Sequence, residues 1–104
     1  MKIRKLANMP YAQAKIYEYR VKDGDNGNYD ILVSYKTSVV QILYDKHAVI
    51  CTGTYSRTTS KHISSFMREK SMSYFIAKQC HLKDQYYNFV TKEFNPIEEI
   101  MEAK

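Results

Sequence analysis

The chain has 104 residues, 44% of them hydrophobic and 26% charged, with a formal net charge of +5. That length supports one domain around a single modest core, and that hydrophobic share separates it from disordered chains. No apolar run reaches the ~18 residues of a membrane span, and the N-terminal "MKIRKLANMPYAQAK" lacks the apolar centre of a secretory signal. Only Cys51 and Cys80 are present, without a C-x-x-C pair, so a cytoplasmic protein with reduced thiols is expected.

Charge is unevenly spread. Residues 1–22 carry six Lys/Arg against one Glu, and residues 57–83 carry the same numbers. Residues 23–56 hold two Lys against four Asp, and residues 84–104 two Lys against five acids. Two basic segments thus alternate with two acidic ones, which predicts a polarised surface if the basic ones meet in space.

In chain order, residues 1–12 read as a loose arm. Residues 14–21 ("AKIYEYRV") alternate, with Ile16 and Glu18 facing one way and Tyr17, Tyr19 and Val21 the other, a strand pattern. Residues 22–28 ("KDGDNGN") form a turn cluster. Residues 29–55 are dense in Val, Ile, Tyr and Thr and too long for one strand, so a meander over 29–35, 38–45 and 48–55 is predicted. "YDKHA" (44–48) supplies a hairpin loop, and "SYKTS" (34–38) either a tight turn or a bulge.

From Thr59 the period changes. Ile63, Phe66 and Met67 fall on one helix face, and Thr58, Thr59 or Ser60 can cap that helix. A second helical run over 72–82 places Met72, Phe75, Ile76 and Gln79–Cys80 on its inner face. Residues 84–94 are ambiguous. Asp84 can cap a third helix with Tyr87, Val90 and Phe94 inward, or residues 86–91 form a strand. Asn95-Pro96 ends that element, and a short terminal helix starts at Pro96 with acids in its first turn. The expected architecture is α+β: an antiparallel β-meander of three to four strands followed by two to three helices packed on one face.

The residues bear on four chemistries. His47, Cys51, His62, Cys80 and His81 lack the paired spacing of a structural metal site, so no metal or cofactor is expected. Ser60, His62 and an acid are the residue types of a nucleophilic triad, but there is no G-x-S-x-G elbow and no glycine-rich phosphate loop, so no enzymatic activity is expected. Anion binding is better provided for. "SRTTSKH" gathers Ser56, Thr58, Thr59 and Ser60 at a helix N-terminus, where unsatisfied N–H groups and a partial positive charge lie, with Arg57 and Lys61 beside them. Lys61, Ser65 and Arg68 share the face opposite Ile63, Phe66 and Met67. The candidate anion- or nucleic-acid-binding set is therefore Arg57, Thr58, Thr59, Ser60, Lys61, Ser65 and Arg68, and one hydroxyl would suffice if capping were its only task. Finally, the chain has ten Tyr and no Trp. So many cannot all be buried with satisfied hydroxyls, so some serve base stacking or protein contact at the surface.

Two blocks, "SYKTSVV" and "GTYSRTTSKHISSF", resemble a small domain of unknown function found in phages, prophages and their bacterial hosts, with the pattern S-Y-x-T-x-V followed by Y-S-x-T-T-S-K-H-I-x-x-F. Ser34, Tyr35, Thr37 and Val39 match the first part, and Tyr55, Ser56, Thr58, Thr59, Ser60, Lys61, His62, Ile63 and Phe66 the second. The resemblance covers about the middle third of the chain. It implies no activity, but a mobile-element context in which short basic proteins bind nucleic acid or inhibit a host system. The expected partner is a nucleic acid or nucleotide; a host protein complex, as for an anti-defence or anti-CRISPR-like inhibitor, is the alternative. A homodimer is expected through a free strand edge at Ile16, Tyr17 and Tyr19.

Overall fold

Among the described residues, seven strands pair in chain order into one antiparallel sheet: β1 (Lys2–Lys5), β2 (Ala14–Tyr19), β3 (Tyr29–Ser34), β4 (Thr37–Leu43), β5 (Ala48–Cys51), β6 (Gln85–Asn88) and β7 (Glu93–Pro96). Helices α1 (Arg57–Glu69) and α2 (Tyr74–Lys83) are inserted between β5 and β6, and α3 (Glu98–Met101) follows β7. The computed structural model describes residues 1–21, 27–52 and 56–101. Most of the expected turn at 22–28, and Gly53, Thr54 and Tyr55 at the end of the expected 48–55 strand, lie outside the described residues.

The period-two pattern explains the core. Register places Ile16, Leu32, Val40 and Cys51 in one row across β2 to β5, with Ile42 and Val49 in the next, and all of them are buried. Ile63, Phe66 and Met67 from α1, with Ala77 and Cys80 from α2, close over this face. A single apolar row on each strand meeting an apolar stripe on each helix is the standard way such a sheet buries itself. Of the two options at 34–38 the tight turn is realised, since β3 and β4 are separate strands. Tyr35 and Lys36 link β3 to β4, with Tyr35 at φ 58, and a register shift falls at Leu32/Val33.

The α+β class holds, but the three-to-four-strand meander followed by helices is corrected to seven strands with helices embedded between the fifth and sixth. Two strands, β1 and β7, were missed, and β6 answers to the strand alternative left open at 86–91. β1, "KIRK", carries a single apolar residue, and its ladder with β2 rather than its own burial defines it. Residues 1–12 are accordingly not a loose arm: Leu6 is 1% exposed within the core. β6 lies in the ambiguous 84–94 segment, and β7 runs from its end through Asn95 and Pro96, which were expected to stop the element. Tyr87 and Phe94 suggested one helix face because they are seven apart; they are cross-strand partners, and Val90 sits exposed in the hairpin loop between them. Asp84 is not an N-cap but the left-handed C-cap of α2, at φ 52. Pro96 closes an edge strand, where its missing N–H costs no ladder bond.

The helices do not all share one face. Ala48, Ile50 and Tyr86 point away from α1 and α2 and form a second cluster with Leu43, Ile97 and Ile100, so α3 covers the opposite side of the β5–β7 end. The rest of that side, with Ile3, Tyr17, Tyr29, Ile31 and Val33, is half-buried or exposed. The strand on which dimerisation was expected, β2, is internal. The true edges are β1, rich in Lys and Arg, and β7, which ends in Pro96.

Candidate anion-binding face

Helix α1 begins two residues earlier than its apolar period suggests. Ser56 is the N-cap, with an extended backbone, and its Oγ accepts the Thr59 N–H at 3.0 Å. Thr58, Thr59 and Ser60, the expected caps, lie inside the first turn. This satisfies one of the orphan donors of the helix end.

Thr59 does different work. It is buried, and its Oγ1 lies 3.0 Å from Ser56 Oγ and 3.1 Å from Ser34 Oγ, which in turn lies 2.8 Å from His62 Nδ1. Burial holds the His62 imidazole below its usual pKa, so the ring is neutral at pH 7. Ser56 donates to Thr59, and with a neutral ring one continuation runs from Thr59 to Ser34 and from Ser34 to Nδ1, the ring proton then lying on Nε2. The Tyr35 ring stands 5.7 Å from the His62 ring. The two sequence blocks, far apart in the chain, are therefore two sides of one buried polar contact that fastens the β3–β4 turn to the start of α1. Ser34 and His62 are each 2% exposed, closed to any substrate, and His62 meets Ser34 rather than Ser60.

The expected site residues consequently divide. Thr59 is consumed by the fold. Ser60 is half-buried, with its Oγ 3.5 Å from the Tyr74 hydroxyl. Arg57, Thr58, Lys61 and Arg68 are exposed. Ser65 departs from the expected exposed stripe: it is 5% exposed, and its Oγ has no hydrogen-bond partner among the described residues. Arg57, Lys61, Ser64 and Arg68, spaced four, three and four apart, form one outer row about 16 Å long at a rise of 1.5 Å per residue.

Lys61, Ser64, Ser65 and Arg68 share a shallow groove of about 240 Å³ with Asn8 and Met9. These last two residues and Ser64 were missed by sequence reasoning, since nothing local in "LANMP" signals contact with a helix sixty residues away. The cause is an ion cluster. Arg4 Nη2 reaches Glu69 at 2.7 Å and its Nε reaches Glu18 at 2.9 Å, while Glu69 Oε2 accepts the Ala7 N–H at 2.6 Å. The acid in the second basic segment thus clamps the first segment against it, and the two basic segments meet. Arg4 is spent in that clamp, whereas Lys61 and Arg68 face the groove.

Among the described residues no three His, Cys, Asp or Glu side chains gather as a metal site, and no helix is long and apolar enough to cross a membrane. Cys51 and Cys80 are buried thiols, and burial pushes the Cys80 thiol up to about 12. A model of a family of unknown function (DUF8033) matches residues 4–84, so the chain belongs to that family. The match runs from β1 through α2, well beyond the middle third that carries the two motifs, and it includes the α1 groove. No curated protein and no solved structure matches.

Proposed function

We propose that this member of DUF8033 is a small, non-enzymatic, phage-type binding protein whose outer α1 face engages the phosphates of a nucleic acid or nucleotide. One observation carries the reading: Lys61 and Arg68 flank a groove whose wall holds the unpartnered, buried Ser65 hydroxyl. A phosphate oxygen seated there would accept from Ser65, from the Asn8 amide and from both cations, and charge-assisted bonds of this kind are the stronger ones. Arg57 and Thr58 extend the row towards the helix N-terminus, where the dipole favours an anion. Such contacts position a phosphate backbone without reading its bases. The test is binding of single- and double-stranded DNA, RNA and mononucleotides by the whole protein across a salt series. Affinity should fall steadily as salt rises. Absence of binding at low salt, or binding indifferent to salt, would refute the reading.

A second reading rests on a different surface. The open sheet side with Ile3, Tyr17, Tyr29, Ile31 and Val33 presents ring and aliphatic surface of the kind protein interfaces use. It favours a protein-directed inhibitor of a host system encoded by a mobile element. Capture from host lysate with nuclease treatment separates the two: a partner that survives nuclease supports inhibition, and loss of every partner counts against it.

A further inference from the structure

The β6–β7 hairpin, together with β4 and the α1–α2 junction, walls a cavity of about 500 Å³. Its volume lies within the range of about 300–1,000 Å³ usual for small-molecule sites. Ring surface comes from Tyr44, Tyr87 and Phe89, and the two cations in its lining are Lys70 and Lys92. Tyr44 and Phe89 meet edge-on with centroids 6.1 Å apart, so their orientations are mutually fixed.

The polar floor of this cavity is held from behind by a buried carboxylate. Asp30 is fully buried on β3; its Oδ2 accepts the Tyr44 hydroxyl at 2.7 Å and pairs with Lys70 Nζ. Arg20 Nη1 stands 2.8 Å from Oδ1 but aims its hydrogens at the Tyr19 and Tyr29 carbonyls, so that contact is an ion pair rather than a hydrogen bond. Burial alone would raise the Asp30 pKa, yet these neighbours hold it below the usual carboxylate value. Burial and Asp30 together push the Tyr44 hydroxyl well above its usual range, so it remains a donor. Two cations, Arg20 and Lys70, share the Asp30 carboxylate, and Glu18 acts on Arg20 from the neighbouring strand. Among the described residues, no carboxylate belongs to the lining itself.

Lys92 completes the rim from a rigid turn. Its backbone sits at φ 61, its N–H donates to the Asn88 carbonyl at 2.7 Å, and Asn88 Oδ1 accepts the Val90 and Thr91 amides. Lysine occupies a left-handed position where glycine or asparagine is the usual choice.

We propose that this cavity binds a small planar aromatic ring carrying one anionic group, the ring against Tyr87 and Phe89 and the anion between Lys70 and Lys92. That chemistry is shared by aromatic carboxylates and nucleoside monophosphates. None of these residues belongs to the α1 groove, so this site and the phosphate-binding face stand or fall separately.

The test titrates the whole protein with indole-3-carboxylate and adenosine 5′-monophosphate, following backbone amides by NMR, with indole and adenosine as neutral controls. At least one anion should give saturable shifts at Lys70, Met72, Phe89 and Lys92, binding about tenfold tighter than its neutral control. Whichever anion binds tighter identifies the source of the ring. Lys92→Ala should weaken the anion several-fold and leave the neutral control unchanged, and Lys92→Glu should weaken it further; Lys92 is exposed, so both variants should fold. No saturable shift from either anion at millimolar concentration, equal binding of anion and control, or indifference to both Lys92 variants would overturn the proposal.

Discussion

Thr59 and Arg68 lie on the same helix and came from the same sequence reading, yet they occupy opposite faces with opposite surroundings. On the inner face of α1, Thr59 and His62 bond Ser34 across the sheet, and Phe66 fills the core beside them. On the outer face, Arg57, Lys61 and Arg68 point to solvent, and the Ser65 hydroxyl is left over at the groove. A hydroxyl-rich motif is thus first an anchoring device. Capping and cross-sheet bonding absorb Ser56 and Thr59, and only the polar groups that remain can serve a ligand. The difference predicts that inner-face substitutions lower stability, while outer-face substitutions lower binding alone.

The largest effect should come from Phe66→Ala. Phe66 is completely buried between α1 and the sheet, and removing such a ring costs about 3–5 kcal/mol. Urea denaturation measures it, and a loss below about 1 kcal/mol would mean that α1 is not anchored through this face.

Next in size is Ser34→Ala. It strips the hydroxyl that His62 Nδ1 and Thr59 share, leaving buried polar atoms unpaired at a cost of about 1–3 kcal/mol. In a Thr59→Val background the same change should cost less, because one of the stranded partners is already gone. Strictly additive losses would show that the three side chains do not act together.

A pH series sharpens the same side of the comparison. Burial lowers the His62 pKa, so between its folded value and its unfolded value of about 6.5 the unfolded chain binds more protons than the folded one. The contribution of His62 to stability is therefore complete above about pH 6.5 and is lost as pH falls through that window. Asp30 acts lower: its pKa is depressed from 3.8, so its share persists above that value and disappears only in stronger acid. Urea midpoints at about pH 7.5 and 5.5 should differ in the native protein and converge in His62→Gln. An equal drop in both proteins would place the titrating group elsewhere.

What the sequence made legible follows from the range of the forces involved. Strand β2 was readable from its local alternation, and β3 to β5 from their density of Val, Ile, Tyr and Thr. The inner face of α1 was readable because Ile63, Phe66 and Met67 carry a helical period. β1 was hidden because Arg4 earns its place through Glu18 and Glu69, a partnership no window of sequence contains. β6 was left open between strand and helix, and β7 was hidden, because their hairpin sets Tyr87 and Phe94 side by side at a helix-like spacing. At the candidate site, Lys61 and Arg68 were found from spacing. Ser65 was assigned to solvent because spacing gives an angle around the helix but not the height of the neighbouring loop, and Asn8 and Met9 wall it in. Asp30 escaped notice altogether, since an acid inside "YDILV" looks like the polar half of an alternating strand.

The smallest effect on stability, and the one that separates the two faces most cleanly, belongs to Lys61→Ala and Arg68→Ala. Both side chains are exposed, and neither takes part in the Arg4–Glu69 clamp, so each change should alter stability by no more than about 0.5 kcal/mol. Binding should behave differently. If each cation neutralises one phosphate, each substitution removes about 0.7 to 0.9 from the slope of log affinity against log salt, and the double variant removes about twice that. The loss should be uniform across nucleic-acid sequences, since phosphate contacts carry no base information. Full affinity with an unchanged salt slope in the double variant, alongside unchanged stability, would clear the outer face of any role and leave α1 a purely structural helix.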